Sequence, residues 1–373
     1  MTRASKSAYQ KDWRRSLKAG GSRLEAGKPQ RGQPAASSLE PSARAACGHV
    51  DSRSKPTRGV PTPRRVLVTG GAGFVGAWLV RRLVEKGFEV HLVLRDLDPR
   101  WRLVGWYDRL RVHCGDLLDV ASLHRVIAKA QPHLVYHLAA DGGSIRHQKV
   151  ERILTTNIMG TWNLLKACQE SPCELLVHAG SSSEYGFQDK AMRETDLIAP
   201  NSYYAVSKAA ATHLCQYVAT QVRFPMVTLR LFSVYGPYEE PSRLFPTIIR
   251  RALLHQPLLM ASPDAAHDFI YVDDAAAAFL RIVALRRLRA EVINIGTGIQ
   301  STLAQVVKVV LEVTGSKSPV HWNAVPRRAW DSKAWVGSIS KARRLLKWRP
   351  AHSLREGVQK TAEWISTQGS SRG

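Results

Sequence analysis

Cysteine is scarce and unpatterned in this chain. The five cysteines, Cys47, Cys114, Cys168, Cys173 and Cys215, are an odd number with no close CxxC pair. That argues against a disulfide scaffold and against a zinc or other metal site, and it leads us to expect a cytoplasmic protein in a reducing compartment. No apolar run approaches the roughly 18 residues a membrane helix needs, so no membrane span is expected. Acidic residues are also few: 30 Asp and Glu stand against 54 Lys and Arg, a formal net charge of +24. The excess is uneven, because residues 1–65 carry a net of +11 and the remaining chain +13. Such a balance favours anionic ligands. Without an aromatic-interleaved basic patch, nucleic acid is not the expected partner.

Residues 1–64 have few large apolar side chains and no sustained periodicity. They cannot bury enough surface to offset the entropy of ordering, so a disordered basic extension is expected. The Arg- and Ser-rich composition superficially resembles a transit peptide. The abrupt change in composition supports a simpler expectation: native translation starts near Val60, from a GUG codon, six residues before the first strand. Peptides from residues 1–59 recovered from the native source by mass spectrometry would overturn it.

What the chain does have begins at Val66-Leu67-Val68-Thr69-Gly70-Gly71-Ala72-Gly73-Phe74-Val75-Gly76. A short apolar run enters three glycines spaced three apart, and an amphipathic run follows. That order reads as strand, phosphate-binding turn and helix. Gly70 permits the turn, Gly73 lets backbone approach a pyrophosphate, and Gly76 lets the helix pack closely on the strand. The helix N-terminus, at Phe74 and Val75, offers N–H groups and a partial positive charge to phosphate.

Beyond it, apolar strand patterns at residues 90–94, 110–114, 134–137, 175–178 and 226–229 alternate with helical patterns near residues 83, 120–130, 153–168 and 204–218. Alternation of this kind predicts a doubly wound parallel α/β sheet, whose ligands bind beyond the carboxyl ends of the strands. Chemistry-bearing residues fall there. Arg95 and Asp96 follow the second strand; an acid would bond a ribose 2′-OH of NAD, whereas an arginine would accept the 2′-phosphate of NADP. Asp116 and Leu117 follow the third strand, with the carboxylate able to accept from an adenine amino group. The small residues Ala139 and Ala140 follow the fourth, where backbone must pass close to a cofactor.

Tyr204 and Lys208 are four apart and share a helix face, while Ser181-Ser182-Ser183 ends the fifth strand. An ammonium beside Tyr204 would lower its pKa from about 10. The phenolate could then take a proton from an alcohol as hydride leaves, or return it to a carbonyl. A serine hydroxyl opposite would polarise the same oxygen.

From about residue 65 to 367 the chain resembles the extended short-chain dehydrogenases/reductases, in the NAD-dependent epimerase/dehydratase family that modifies nucleotide-activated sugars. The matching stretches, in family order, are residues 69–76, 115–116, 137–140, 156–161, 181–186, 204–208, 230–237, 268–274 and 294–298. The resemblance implies a Rossmann-type dinucleotide-binding domain over 65–240 that carries the catalytic residues. A smaller C-terminal α/β substrate-binding lobe over 241–367 would be interleaved with it. NAD or NADP is the implied cofactor, a nucleotide sugar the substrate, and a homodimer, paired through the helices of Asn157 and Tyr204, the assembly. Tyr204 would be the acid/base, Lys208 would also hold the nicotinamide ribose, Ser181 would be the catalytic serine with Ser182 as the alternative, and Asn157 would hold the helix around the lysine.

Family 4,6-dehydratases carry carboxylates where this chain has Ser182 and Ser183, and unactivated hydroxyls are not general bases near neutral pH. An epimerase or 4-keto reductase is therefore favoured over a dehydratase. Two positions depart from the family pattern: Ser233 stands for an asparagine, and His267 for an arginine at the diphosphate. Arg243 could supply a substitute charge, and Arg328 and Asp331 match a late phosphate- and ribose-binding pair. Reduction of a non-sugar carbonyl, such as a flavonoid or steroid, and a non-catalytic RNA-binding or regulatory role are the other readings.

Overall fold

The computed structural model describes residues 64–95, 101–143, 149–284, 288–325 and 335–370. Its framework follows from apolar residues alternating with period two. In β1 (Arg65–Thr69), Val66 and Val68 face one layer of helices and Leu67 the other. The same alternation recurs in β4 (Leu134–His137) and β5 (Leu175–Ser181). Strands buried on both faces belong to a parallel sheet covered by helices on each side. Seven parallel strands follow the order β11-β6-β5-β4-β1-β2-β3, where β2 is Glu89–Leu94, β3 Leu110–Cys114, β6 Met226–Leu231 and β11 Glu291–Ile295. The doubly wound sheet expected from the sequence is the one found.

One helical layer contains α1 (Phe74–Glu85), which lays Ala77, Leu79, Val80 and Leu83 on the sheet. The opposite layer holds α2 (Val120–Ala130), α4 (Gly160–Gln169) and α5 (Tyr203–Tyr217). The expected helix over 153–168 is interrupted: a short α3 (Val150–Leu154) passes through a π turn, Thr155–Met159, before α4 begins. The fifth and sixth strands run further than their hydrophobic cores suggested. Pairing between β5 and β6 continues to Ser181 opposite Leu231, carrying the serine run to the sheet's rim.

After β7 (Ser233–Tyr235) come α6 (Leu244–Leu253), β8 (Leu258–Leu259), β9 (Ala266–His267) and β10 (Phe269–Tyr271), then α7 (Val272–Arg281). β12 (Ser301–Thr302), α8 (Leu303–Thr314), β13 (Val320–His321), α9 (Ser340–Leu346) and α10 (Leu354–Ser370) complete the chain's described elements. A third apolar cluster gathers Phe245, Ile249, Phe269, Val306, Val310 and Val358. Yet α7 and α9 return to the first core, where Phe279 and Leu346 join Val66 and Leu79.

The close approaches in the glycine turn are steric. A Cβ on Gly76 would lie 2.1 Å from the Gly70 carbonyl oxygen, whereas one on Gly73 would meet only that oxygen, at 3.1 Å. Gly76→Ala is expected to lose at least about 2 kcal/mol of stability by overpacking. Gly73→Ala, at the helix N-cap, should lose under about 1 kcal/mol. Urea denaturation of the two variants checks the contrast.

Candidate active site

The strand order reverses between β1 and β4, and the glycine turn sits in the crevice this opens. Gly70 adopts φ +70° with its Cα against the Ala139 backbone; a Cβ there would be 2.5 Å from the Ala139 nitrogen. Gly73 is the exposed N-cap of α1, no side chain caps it, and no acidic residue lies in the first turn. That is a helix start left open to an anion. Phe74 turns its ring towards the third apolar cluster and Val75 packs on the first, so both offer the crevice backbone rather than side chains. Ala139 is half-buried and Ala140 exposed beside the turn. Leu117 is buried and packs against Gly160, while Asp116 spends one carboxylate oxygen on the Leu118 amide at 2.9 Å. These features fit the adenosine and pyrophosphate of a dinucleotide.

At the end of β5 the chain folds into one 3₁₀ turn, Ser182–Tyr185. Ser181 caps it: its Oγ accepts from the Ser183 amide at 3.2 Å and lies 2.8 Å from the Ser183 hydroxyl. Ser182 is buried. Glu184, fully buried, completes the capping box by accepting the Ser181 amide at 2.7 Å. Its other oxygen takes the Arg230 Nε proton at 2.8 Å, with Arg230 equally sequestered. Glu184 is therefore a support beneath the serine.

Tyr204 lies in the first turn of α5, which Ser202 caps by accepting the Ala205 amide at 3.2 Å. Burial holds the Tyr204 phenol above its ordinary value. A hydrogen bond with Ser181 pulls it down, the Glu184 charge raises it, and the Arg243 charge lowers it. Tyr204 and Ser181 are thus brought together as expected. The Lys208 stem runs down to β5. There Nζ donates to the Ala179 carbonyl at 2.6 Å and to His178 Nε2 at 3.1 Å. Two of its three protons are spent, leaving one for a hydroxyl of a bound ligand.

Asn157 lies in the π turn. Its Oδ1 accepts the Asp141 amide at 2.7 Å, and its Nδ2 donates to the Asp141 carbonyl at 2.9 Å and the Ser207 hydroxyl at 2.8 Å. With its amide committed inside the protein, it braces α5 against the loop after β4.

Below lies a polar chain that the sequence reading missed. Thr161 donates to the Asn157 carbonyl at 2.7 Å, so it must accept from His137 Nε2 at 2.9 Å. His137 Nδ1 then accepts from Thr69 at 2.7 Å. Burial pushes His137 down to about 3, with the Lys208 charge adding to the effect, and holds His178 well below its ordinary value. A histidine at the end of each of the apolar runs 134–137 and 175–178 was the available signal. Asp268 is another missed residue. Buried at a loop crossing, it accepts from the Thr297 hydroxyl and amide, Gly298 and Gly337 at 2.6 to 3.3 Å.

Of the expected substrate contacts, Ser233 begins β7 half-buried, with its amide bonded to the Asp268 carbonyl. His267 is half-buried between the Phe269 and Trp335 rings. Arg243 is exposed and lies 3.9 Å from Glu239. Asp96, Arg328 and Asp331 lie outside the described residues.

A doubly wound sheet with an open glycine turn at its switch point, and Ser181 against Tyr204, define the class: Rossmann-type dinucleotide-dependent proteins of the short-chain dehydrogenase/reductase type. Residues 66–296, more than half the chain, match the NAD dependent epimerase/dehydratase family model. The chain belongs to that family. It is 30% identical over 330 residues to a dTDP-glucose 4,6-dehydratase of Neisseria gonorrhoeae, covering 81% of this chain and 95% of the relative. A UDP-glucose 4-epimerase of Thermotoga maritima, solved with UDP-glucose, superposes with a TM-score of 0.75 at 27% identity, over 81% of this chain and 99% of that one. The UDP-glucuronic acid 4-epimerase of Bacillus cereus, in complex with UDP-glucuronic acid and NAD, gives 0.74 at 28%, with coverage of 81% and 99%. Among the described residues, no helix is long and apolar enough to cross a membrane.

Glu184→Gln, which leaves Arg230 buried without its counter-charge, should cost about 3 kcal/mol. The double variant Glu184→Leu/Arg230→Met should be more stable than Glu184→Gln, as chemical denaturation would show. The buried neutral histidines set a pH dependence as well. In the unfolded chain they take protons near pH 6.5, but the folded protein resists them. Their contribution is present above pH 6.5 and is lost as pH falls towards about 3. The stability curve should flatten in His137→Asn by up to about 1.4 kcal/mol per pH unit over that range.

Proposed function

We propose that the protein is an NAD(P)-dependent epimerase or 4-keto reductase of a nucleotide-activated sugar, acting at a carbinol or 4-keto carbon. The observation that carries this reading against dehydration is Glu184. Ser182 and Ser183 stand at the two carboxylate positions of a dehydratase, and the nearby carboxylate is locked under Ser181 by Arg230. No described side chain at the turn is left as a base for removing a proton next to a sugar carbonyl.

The bound dinucleotide supplies the hydride acceptor or donor. Tyr204 takes the proton from the sugar hydroxyl as the carbon is oxidised, and returns one when the carbonyl is reduced. The Ser181 Oγ accepts from the Ser183 amide and hydrogen-bonds Tyr204, and its hydroxyl is the group proposed to bond the same sugar oxygen. Lys208 lies in the buried floor of the site, where burial lowers its ammonium below the ordinary value and Glu184 raises it, and its unspent proton suits a ribose hydroxyl. The resemblance adds a homodimer through α4 and α5, and exposed Tyr203, Val206 and Tyr217 on α5, with exposed Met159 just before α4, support it.

Purified protein incubated with NAD(P)(H), UDP- and dTDP-hexoses and their 4-keto derivatives should yield either an isobaric sugar nucleotide or consumption of reduced cofactor. A product lighter by one water would overturn the reading. Tyr204→Phe should lower kcat by about a thousandfold with dinucleotide affinity kept; full activity in this variant would remove the proposed acid/base.

A further inference from the structure

The Lys208 amine is buried on α5, and among the described residues no carboxylate pairs with it directly. Burial lowers its ammonium below the ordinary lysine value, and the Glu184 charge raises it. Its hydrogen-bond acceptors are two, the Ala179 carbonyl at 2.6 Å and His178 Nε2 at 3.1 Å, both from β5. Hydrogen bonds from an ionised donor to such acceptors are stronger than neutral ones, and a buried charge depends on them.

The imidazole is set up to accept. Because Lys208 donates, Nε2 is the bare nitrogen of His178 and Nδ1 carries the ring proton. Nδ1 faces the Thr228 hydroxyl on β6 at 3.3 Å, which favours that tautomer. Burial, then the charges of Lys208, His137 and Arg230, hold His178 well below its ordinary value, so the ring stays neutral and Nε2 stays bare. The titratable groups facing the pair are Glu184, Arg230, His137 and Cys215. Glu184 and Arg230 are paired with each other, His137 is neutral, and burial pushes the Cys215 thiol up to about 12. The ammonium therefore relies on its two acceptors on β5.

We propose that His178 is a positioning residue for the reaction: its bare Nε2 keeps Lys208 charged in the buried floor and aims the third N–H at a ribose hydroxyl of the dinucleotide. The inference rests on the dinucleotide crevice of the proposed function and adds the residue that sets its lysine. A histidine that merely fills the core would affect stability and leave the titration of Lys208 alone.

Fluorescence titration of the full-length protein with NADH and NADPH, from about pH 6 to about pH 10, tests this without any sugar. Affinity should fall on the alkaline side as Lys208 loses its proton, and Lys208→Met should abolish that fall. His178→Leu, which removes the acceptor, should move the midpoint down by about one to two pH units. His178→Gln, which restores an acceptor oxygen, should return it towards the unaltered protein. Thr228→Val, which frees the ring to carry its proton on Nε2, should move the midpoint part of the way down, and decides the matter if His178→Leu does not fold. An unmoved midpoint in His178→Leu and Thr228→Val, or an alkaline fall that persists in Lys208→Met, would overturn the proposal and leave the sugar chemistry standing. If neither dinucleotide binds at any pH, the proposal and the proposed function both fall.

Discussion

The active-site floor depends on one buried ion pair. Glu184 and Arg230 are both removed from water, and such burial costs several kcal/mol per charge unless the geometry repays it. Each Glu184 oxygen has a partner, the Ser181 amide or the Arg230 Nε. The Arg230 guanidinium also lies over the Tyr185 ring, 4.7 Å from its centre, and the Tyr185 hydroxyl reaches Asn294 on β11 at 2.7 Å. Three neighbouring strands, β5, β6 and β11, are thereby pinned at their carboxyl ends, and Ser181 is fixed in position by this pinning. A single apolar side chain at residue 184 could fill the space, but it could not hold the serine amide.

That arrangement sharpens the chemistry. Glu184 is the carboxylate next to the reactive serine run, and its position alone would suit a base. Its partners make it a support, and the reacting groups reduce to a hydroxyl, a phenol and an ammonium. Burial keeps the phenol protonated in the protein as described. Lys208 is hydrogen-bonded to the Ala179 carbonyl and His178. Ser181 and Arg243 both pull the Tyr204 phenol downwards against its burial.

The sheet was legible because its signals are local: period-two apolar runs, separated by periodic helices, recur often enough to set the topology. Tyr204, Lys208 and the glycine turn were legible for the same reason, since four-residue and three-residue spacings survive in the chain. The partners of Asn157 and Lys208 were not, because Ser207, Asp141, Ala179 and His178 meet them only after folding. The polar chain from Thr69 through His137 to Thr161 joins residues 68 and 24 apart, and no window of sequence contains it. The extra reach of β5 to Ser181 likewise depended on pairing with β6.

The π turn between α3 and α4 governs how these distant pieces meet. It holds an additional residue per turn compared with an α-helix, so everything after it is rotated about the axis relative to everything before. With that offset, Asn157 points to Ser207 and Thr161 still meets His137, while Met159 is left outside. Removing one residue from Thr155–Met159 would take away the turn that brings Asn157 to Ser207 and Asp141. A helix is thus keyed to its site by an irregularity, and its length in this segment is as constrained as any side chain in the crevice.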